Sequence, residues 1–305
     1  MEKVLIVGIS GGQGRLLTRR LRARYKVCGV DGIRWEGAPR GVRVHIVDIR
    51  QKTFEDVIRR EAPSAVVHLG FVRSFHMGEH ERYDVNVRGT RHLLDHCVHH
   101  GVQKLVVLSS SYVYGASPEN AYSLDEDSPL SAGRSVPEIR DLVEVDALAS
   151  ALLWRDPQLL TCVLRPVGVL GHYVHSVIGR YLRERRVPTV IGFDPMMQFI
   201  HEEDLSDAIA LTLERGLQGV FNVTGPGEVP LHTAIRESGG MAIALPEFAI
   251  RPLYARLYRW GLAPYPSGAI DYLKYPVTVS GKRFADASGF RCRFGLEEIF
   301  ESVRR

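Results

Sequence analysis

The 305-residue sequence predicts an α/β protein, a doubly wound parallel sheet with a smaller C-terminal lobe, on three observations. Its first two thirds alternate short β-rich runs with helix-patterned segments. A glycine-rich turn joins the first strand to the first helix. Gly/Pro punctuation gathers at about 166–198 and 225–280, while the stretch between them regains helix and strand character. A strand, helix, strand rhythm implies right-handed crossovers and a parallel sheet covered on both faces.

The elements follow in order. KVLIVG (3–8) is a strand, followed by a helix over 13–24 and the strand KVCGV (26–30). VRVHIV (42–47), a short helix over 54–60, AVVHL (65–69), a helix over 85–100 and KLVVLSS (104–110) continue the alternation. Ser135 and Glu138, in Ser-Val-Pro-Glu, have the spacing of a capping box, so a long helix is expected from Val136 to Trp154. LTCVLRP (160–166) is the next strand. The expected division is a first domain over 1–165, rejoined by about 199–224, and a smaller lobe over 166–305. Neither an internal repeat nor a low-complexity tract occurs.

Composition narrows the function classes. With 45% hydrophobic and 24% charged residues the chain has enough apolar surface for a core, which excludes disorder, collagen and coiled coil. The first apolar run, Val4 to Ile9, is too short for a signal-peptide core, and no later run reaches the roughly 18 residues of a membrane span, so a soluble cytoplasmic protein is expected. Cys28, Cys97, Cys162 and Cys292 lie far apart without CxxC pairing, giving neither a disulfide framework nor a thiolate zinc site. The net charge of +4 is spread among interspersed charges and does not point to nucleic acid.

Chemistry enters at VGISGGQGRLL. Gly8, Gly11 and Gly14, with Gly12 and Gln13 between them, follow a strand and open a helix. Glycines there permit a tight turn and close backbone approach, so that a pyrophosphate can sit on the free N–H groups of the helix N-terminus. Asp31 ends the second strand 17 residues beyond Gly14, where a carboxylate accepts both hydroxyls of an adenosine ribose and repels a 2′-phosphate. This favours NAD; Arg15 and Arg34 stand near enough to leave NADP open. The pattern is that of a Rossmann dinucleotide site.

Beyond this fingerprint the chain resembles the extended short-chain dehydrogenase/reductases, the NAD-dependent epimerase/dehydratase family, and within it bacterial proteins related to UDP-glucose 4-epimerase. Asp48-Ile49 looks like the family's adenine-holding pair, and HLGF (68–71), with Leu69 and Gly70, is similar to its His-Leu-Ala-Ala strand end beside the cofactor. Asn86 in NVRGTRHLL matches NVxGTxNLL, and LSSSYVYG (108–115) matches SSxxVYG. LRPVGVLG (164–171), FIHEEDLSDAI (199–209) and FNVTGPGEVPL (221–231) resemble later family segments. The resemblance implies NAD, a nucleotide sugar or related carbonyl compound as ligand, and a homodimer formed through the helix expected after Val136.

The catalytic set departs from the family, in which a Ser or Thr, a Tyr and a Lys four residues after it do the chemistry. Ser110 occupies the serine position. The frame of the following helix puts Val136 at the tyrosine and Arg140, four residues before Glu144, at the lysine. A phenol serves as a base only when neighbouring positive charge stabilises its phenolate, and valine has no proton to exchange. Arg140 keeps a donor for the nicotinamide ribose but has no phenolate to tune. No lysine lies between Lys104 and Lys274, and Tyr122 is the one tyrosine between Ala116 and Gln158. Loss of a positioned base costs on the order of 10² to 10⁴ in rate. Two functions therefore stay open: an epimerase-like oxidoreductase with weakened or rerouted catalysis, and an inactive cofactor-binding sensor or scaffold for a protein partner.

Other candidates are weaker. His172 and His175, in GHYVHS, stand where the resemblance places the start of the substrate cleft, and histidine is the residue type most suited to proton exchange. Tyr112 and Tyr114 flank Ser110 and are expected to pack against the strand end. Met197 replaces the arginine by which family epimerases grip a diphosphate; Arg180, Arg183, Arg185 and Arg186 could substitute, or simply form a charged helix face. His92, His96, His99 and His100 share one helix, and two of their spacings present paired imidazoles, but the sequence offers no third ligand and no metal is assigned. The stretch 248–262 puts Leu253, Leu257 and Trp260 with Tyr254 and Tyr258 on one helical side, either a lid on the small lobe or a surface for a membrane or partner.

Overall fold

A computed structural model describes residues 1–71, 77–136, 139–260 and 266–304. Its centre is a seven-stranded, wholly parallel sheet in the order β10-β6-β5-β4-β1-β2-β3. The strands are β1 (Lys3–Val7), β2 (Lys26–Asp31), β3 (Arg43–Ile46), β4 (Ala65–His68), β5 (Lys104–Leu108), β6 (Leu160–Pro166) and β10 (Gly219–Val223). Two small sheets accompany it: β7 (Gly168–Leu170) with β9 (Met196–His201) and β11 (Glu228–Pro230), and β8 (Arg186–Val190) with β12 (Met241–Leu245). The stretch expected to rejoin the first domain divides, since β9 belongs to a small sheet and β10 to the large one.

Strands buried on both faces read as near-continuous apolar runs, and KVLIV shows how the faces are assigned. Val4 and Ile6 enter one core with Leu17 and Leu21 of α1 (Gly12–Leu21). Leu5 and Val7 point the other way, towards Phe54 of α2 (Lys52–Glu61), Leu93 of α4 (Gly89–His99) and Val145 of α6 (Arg140–Arg155). Between α2 and α4 lies α3 (Glu79–Tyr83), which passes through a π-helical turn over Asp84–Arg88. Each fully buried branched side chain adds about 1.5–3 kcal/mol of burial free energy. A third apolar cluster, with Tyr181 of α7 (Val177–Leu182), Phe199 and Leu231, sits under the small sheets. Further on, α8 (Glu202–Arg215) packs beside α1, and α9 (Leu231–Glu237) and α10 (Glu247–Arg259) belong to the C-terminal part.

The long helix starts later than its sequence suggests. α5 (Ala132–Ser135) is a short turn of helix, Val136 is extended at φ −129° and ψ 89°, and α6 begins at Arg140. Val136 precedes a proline, whose ring disfavours helical geometry in the residue before it. Of the expected capping pair, Glu138 and the Ser135 side chain lie outside the described residues. The helix read at 248–262 corresponds to α10, but its apolar residues do not share one fate. Ile250 is buried and Tyr254 half-buried, whereas Phe248, Leu253 and Trp260 are exposed; Gly261 and Leu262 fall outside the described residues. Among the described residues no helix is long and apolar enough to cross a membrane.

One buried network binds the sheet's far side to α6. Arg165, on β6, donates from Nε to Asp146 Oδ2 at 2.9 Å and from Nη2 to Asp146 Oδ1 at 2.7 Å. Its Nη1 donates to the Tyr114 hydroxyl and to the Glu126 carbonyl, at 2.8 and 3.0 Å. Ser109 Oγ donates to Asp146 as well, and the Tyr114 hydroxyl donates to Asn222 Oδ1 of β10. Removing one partner of a buried pair leaves the other charge without compensation, at a cost of about 3–5 kcal/mol. Asp146→Ala is therefore expected to lower the free energy of urea unfolding by that amount, and a loss below about 1 kcal/mol, roughly the worth of an exposed pair, would show the network to be dispensable.

Candidate functional site

In open α/β sheets ligands bind beyond the carboxyl ends of the strands, where strand order reverses. Here the ends of β1, β4, β5 and β6 open on a cleft of about 360 Å³, lined by Gly8, Leu69, Ser110 and Pro166 among others. Its floor is the glycine loop. Gly8 adopts φ +85°, and a Cβ on it would stand 2.7 Å from Gly70 Cα, so β1 and the end of β4 approach as closely as only glycine allows. Gly12 has a different reason: a side chain there would run into the Tyr173 carbonyl oxygen. That crossing segment is pinned by Glu202, buried at the start of α8, whose carboxylate accepts from the backbone N–H groups of His172, Tyr173 and Val174.

The loop fits a pyrophosphate. As in any helix, the first turn of α1 leaves N–H groups without helical acceptors, and Gly11, Gly12, Gln13 and Gly14 all line the cleft. A Cβ on Gly11 would meet nothing nearer than the Gly8 carbonyl oxygen at 3.4 Å, so this position has room on its cleft side. Gln13 also holds the loop to α8, donating to Ser206 Oγ at 2.8 Å. Asp31 ends β2 and accepts from the Ser10 and Ile33 N–H groups at 2.9 and 3.2 Å. Asp48 is occupied by Arg50, whose Nε lies 2.9 Å from Oδ2; this hydrogen bond holds the carboxyl below its usual range, with burial opposing it. Ile49 is buried against Gly89.

The three positions expected to carry catalysis part company. Ser110 lines the cleft and caps the turn over Ser111–Tyr114, accepting from the Tyr112 N–H at 3.3 Å. Val136 lines it too, 2% exposed. Arg140 does not: it is exposed and outside the lining, and the next residues, Asp141 and Leu142, face the cleft instead. The late helix start accounts for this, because the phase of α6 turns Asp141 inward. Asp141 forms a buried ion pair with Arg82 Nε at 3.2 Å and accepts from Asn86 Nδ2, so Asn86 is in the cleft as expected but engaged by a carboxylate.

The remaining candidates sort by the same test. Tyr112 and His175 line the cleft, whereas Tyr114 is buried in the Arg165 network and His172 lies outside the lining. Tyr272 also lines it, but its hydroxyl donates to the Tyr112 carbonyl at 2.8 Å and burial raises its phenol, both of which keep the proton on. Met197 faces the cleft, and none of Arg180, Arg183, Arg185 and Arg186 does; Arg183 donates to the Gly171 carbonyl. Arg82 and His175 are the basic side chains among the described lining residues, and Arg82 is neutralised by Asp141. The rest of the wall, including Val169, Ile178, Tyr181, Ile270 and Leu273, is apolar.

A parallel sheet with a glycine turn and helix N-terminus at its switch point defines a Rossmann-type nucleotide-binding protein. Residues 4–224 match the model of the NAD dependent epimerase/dehydratase family, and the chain belongs to that family. An uncharacterised protein of Mycobacterium tuberculosis is 28% identical over 99% of this chain and 83% of its own length. Sterol demethylase protein B of Methylococcus capsulatus is 25% identical over 72% of this chain and 69% of its own. Among solved structures, the UDP-glucose 4-epimerase of Thermus thermophilus in complex with NAD shares the fold, with a TM-score of 0.78, 22% identity, and coverage of 99% of this chain and 97% of that one.

Sequence reasoning missed Arg82, Asp141, Leu142 and Tyr272 as lining residues. Arg82 stands four residues before Asn86 in a helical stretch, a spacing that puts both on one face, so it could have been found. Leu142 and Asp141 depend on where α6 starts, and Tyr272 arrives from distant sequence without any local signal, whereas Tyr254 lies on the helix read as a lid.

Gly11→Trp fills the open side of the loop without crowding backbone, so it is expected to abolish NAD binding in calorimetric titration while leaving the melting temperature near that of the parent; retained binding would remove the loop from the cofactor site. A second prediction concerns pH. His68, at the end of β4, is wholly buried with Nε2 2.9 Å from Thr90 Oγ1, and burial pushes its imidazole down to about 3. Above about pH 6.5, the ordinary imidazole value, folded and unfolded chains are both neutral there; below it only the unfolded chain takes the proton, so stability falls with falling pH down to about 3. Between about pH 7 and 5 the parent is expected to lose about 2 kcal/mol more than His68→Asn, measured by urea unfolding at both values, and equal losses would refute the assignment.

Proposed function

We propose that the protein is an NAD-linked oxidoreductase of the epimerase/dehydratase family whose second ligand is an alcohol or carbonyl compound of apolar character, turned over slowly because the Tyr-Lys pair is gone. NAD, when bound, supplies a hydride acceptor at the strand ends. Gly11, Gly12, Gln13 and Gly14 would hold its pyrophosphate and Asp31 its adenosine ribose. Ser110 offers a hydroxyl to the oxygen of the ligand, and His175 is the cleft's exchangeable base. The same reading sets the protein in the cytoplasm, where its four unpaired cysteines stay reduced, as a homodimer through α6, whose Trp154 is 88% exposed.

The observation that carries this reading is the lining. A second diphosphate, beyond the one the glycine loop would hold, calls for donors of its own, and among the described residues the cleft holds Arg82, already paired, and His175 beside mostly apolar walls. Binding sites of that make-up take apolar ligands with a few placed polar groups. The similar proteins span both chemistries, a UDP-glucose epimerase and a sterol demethylase protein, and the lining supports the second kind of ligand over a nucleotide sugar. The test offers a 3β-hydroxysterol in cyclodextrin and UDP-glucose to the NAD-loaded protein and follows absorbance at the NADH band. Sterol-dependent NADH formation is expected, on the order of 10² to 10⁴ slower than with an intact base, and lowered further in His175→Gln. Turnover or tighter binding with UDP-glucose would overturn the ligand class.

A second reading, a cofactor-binding sensor or scaffold without turnover, is favoured by one observation: Val136 is in the cleft and Arg140 is outside it. NAD binding with no hydride transfer to either probe would decide for it.

A further inference from the structure

A cluster of donors lies apart from the cleft-lining residues, where α2 meets α4. His96 and His100, four residues apart at the end of α4, stand on one helical face. The fold brings to them what the sequence lacks, the carboxylate of Glu55 from the first turn of α2. Ligand atoms of Glu55, His96 and His100 all lie within 4.8 Å of one another. His100 Nε2 is buried, makes no hydrogen bond among the described residues, and stands 3.3 Å from Glu55 Oε1. Two ligands on a tetrahedral zinc ion, each at about 2.0–2.1 Å, are separated by about 3.3 Å, so this pair already has the spacing that a shared ion would impose.

The framework around these donors is packed against buried core. Phe54, adjacent to Glu55, is fully buried and meets the His96 ring edge-on at 6.1 Å between centroids. The His96 and His100 rings are 6.1 Å apart. His92 and His99 flank the cluster, at 6.4 Å from His96 and 4.8 Å from His100 between centroids, and do not share its ligand set. Two imidazoles and one carboxylate suit a borderline divalent ion, and three protein ligands leave a fourth position for water.

We propose that Glu55, His96 and His100 form a zinc-type divalent metal site that clamps α2 to α4. The ion binds the folded chain, which alone brings Glu55 to the histidines, and so stabilises it by mass action. The site is independent of the cofactor cleft and of the reading given for it.

The untagged 305-residue chain, stripped with EDTA, is titrated calorimetrically with zinc chloride and, in parallel, with cobalt chloride while the visible spectrum is recorded. One ion per chain at micromolar or tighter affinity is expected, with a cobalt spectrum of a low-coordinate nitrogen and oxygen site and a raised melting temperature. Glu55→Gln, and the double variant His96→Gln with His100→Gln, are each expected to weaken binding on the order of tenfold or more with an unchanged circular dichroism spectrum. Glu55 is partly exposed, so its variant tests the site even if the double variant fails to fold. His92→Gln with His99→Gln is expected to bind as the parent does. No zinc binding by the parent, parental affinity in Glu55→Gln, or loss confined to the His92 and His99 variant would each overturn the proposal.

Discussion

The bidentate pair between Arg165 and Asp146 is the constraint on which the rest of the cleft depends. Both side chains are almost wholly buried, at 5% and 0% exposure. A guanidinium in that position must have its N–H groups occupied, because an unpaired buried donor costs more than a made hydrogen bond returns. Asp146, Tyr114 and the Glu126 carbonyl supply those acceptors, and Ser109 adds a hydroxyl. The result ties the ends of β5 and β6, the middle of α6 and the edge strand β10 to one point. Ser110 follows Ser109 directly, and Asp141 and Leu142 lie upstream of Asp146 on the same helix, so the pair sets both the serine position and the helix phase that faces it.

Backbone proximity does on the cofactor side what charge does here. Gly8 lets β1 reach the end of β4, and Gly12 lets the segment at Tyr173 cross the helix N-terminus. Glu202 keeps that segment in place through three N–H groups. The glycines of such a loop are usually read for the phosphate they admit, and in this chain Gly12 is required as much by the protein's own backbone. Gly11, unlike Gly8, Gly12 and Gly14, has free space beside it, which separates the binding function of the loop from its folding function.

Much of the fold was legible because parallel strands buried on two faces must be apolar throughout. β1, β2, β4, β5, β6 and β10 all lie where their runs indicate. The placement of Ser110, Val136 and Met197 on the cleft agrees with their expected positions at its wall. Less was legible in α6. The Ser-Val-Pro-Glu pattern has the spacing of a helix start, yet a residue before proline resists the helical region. Val136 follows that rule, and a helix beginning at Arg140 turns this arginine outward.

The sequence by itself determined the apolar strand runs, the glycine turn and its acidic partner at Asp31, since each depends on residues close in the chain. Tertiary structure alone decided what shares the cleft and what shares the α2–α4 seam. Arg82 meets Asp141 across 59 residues, and Tyr272 meets Tyr112 across 160. Glu55 completes a pair of histidines that the sequence left without a third partner. Contacts of that separation are set by how layers pack, and side-chain chemistry at one position carries no record of which distant surface will cover it.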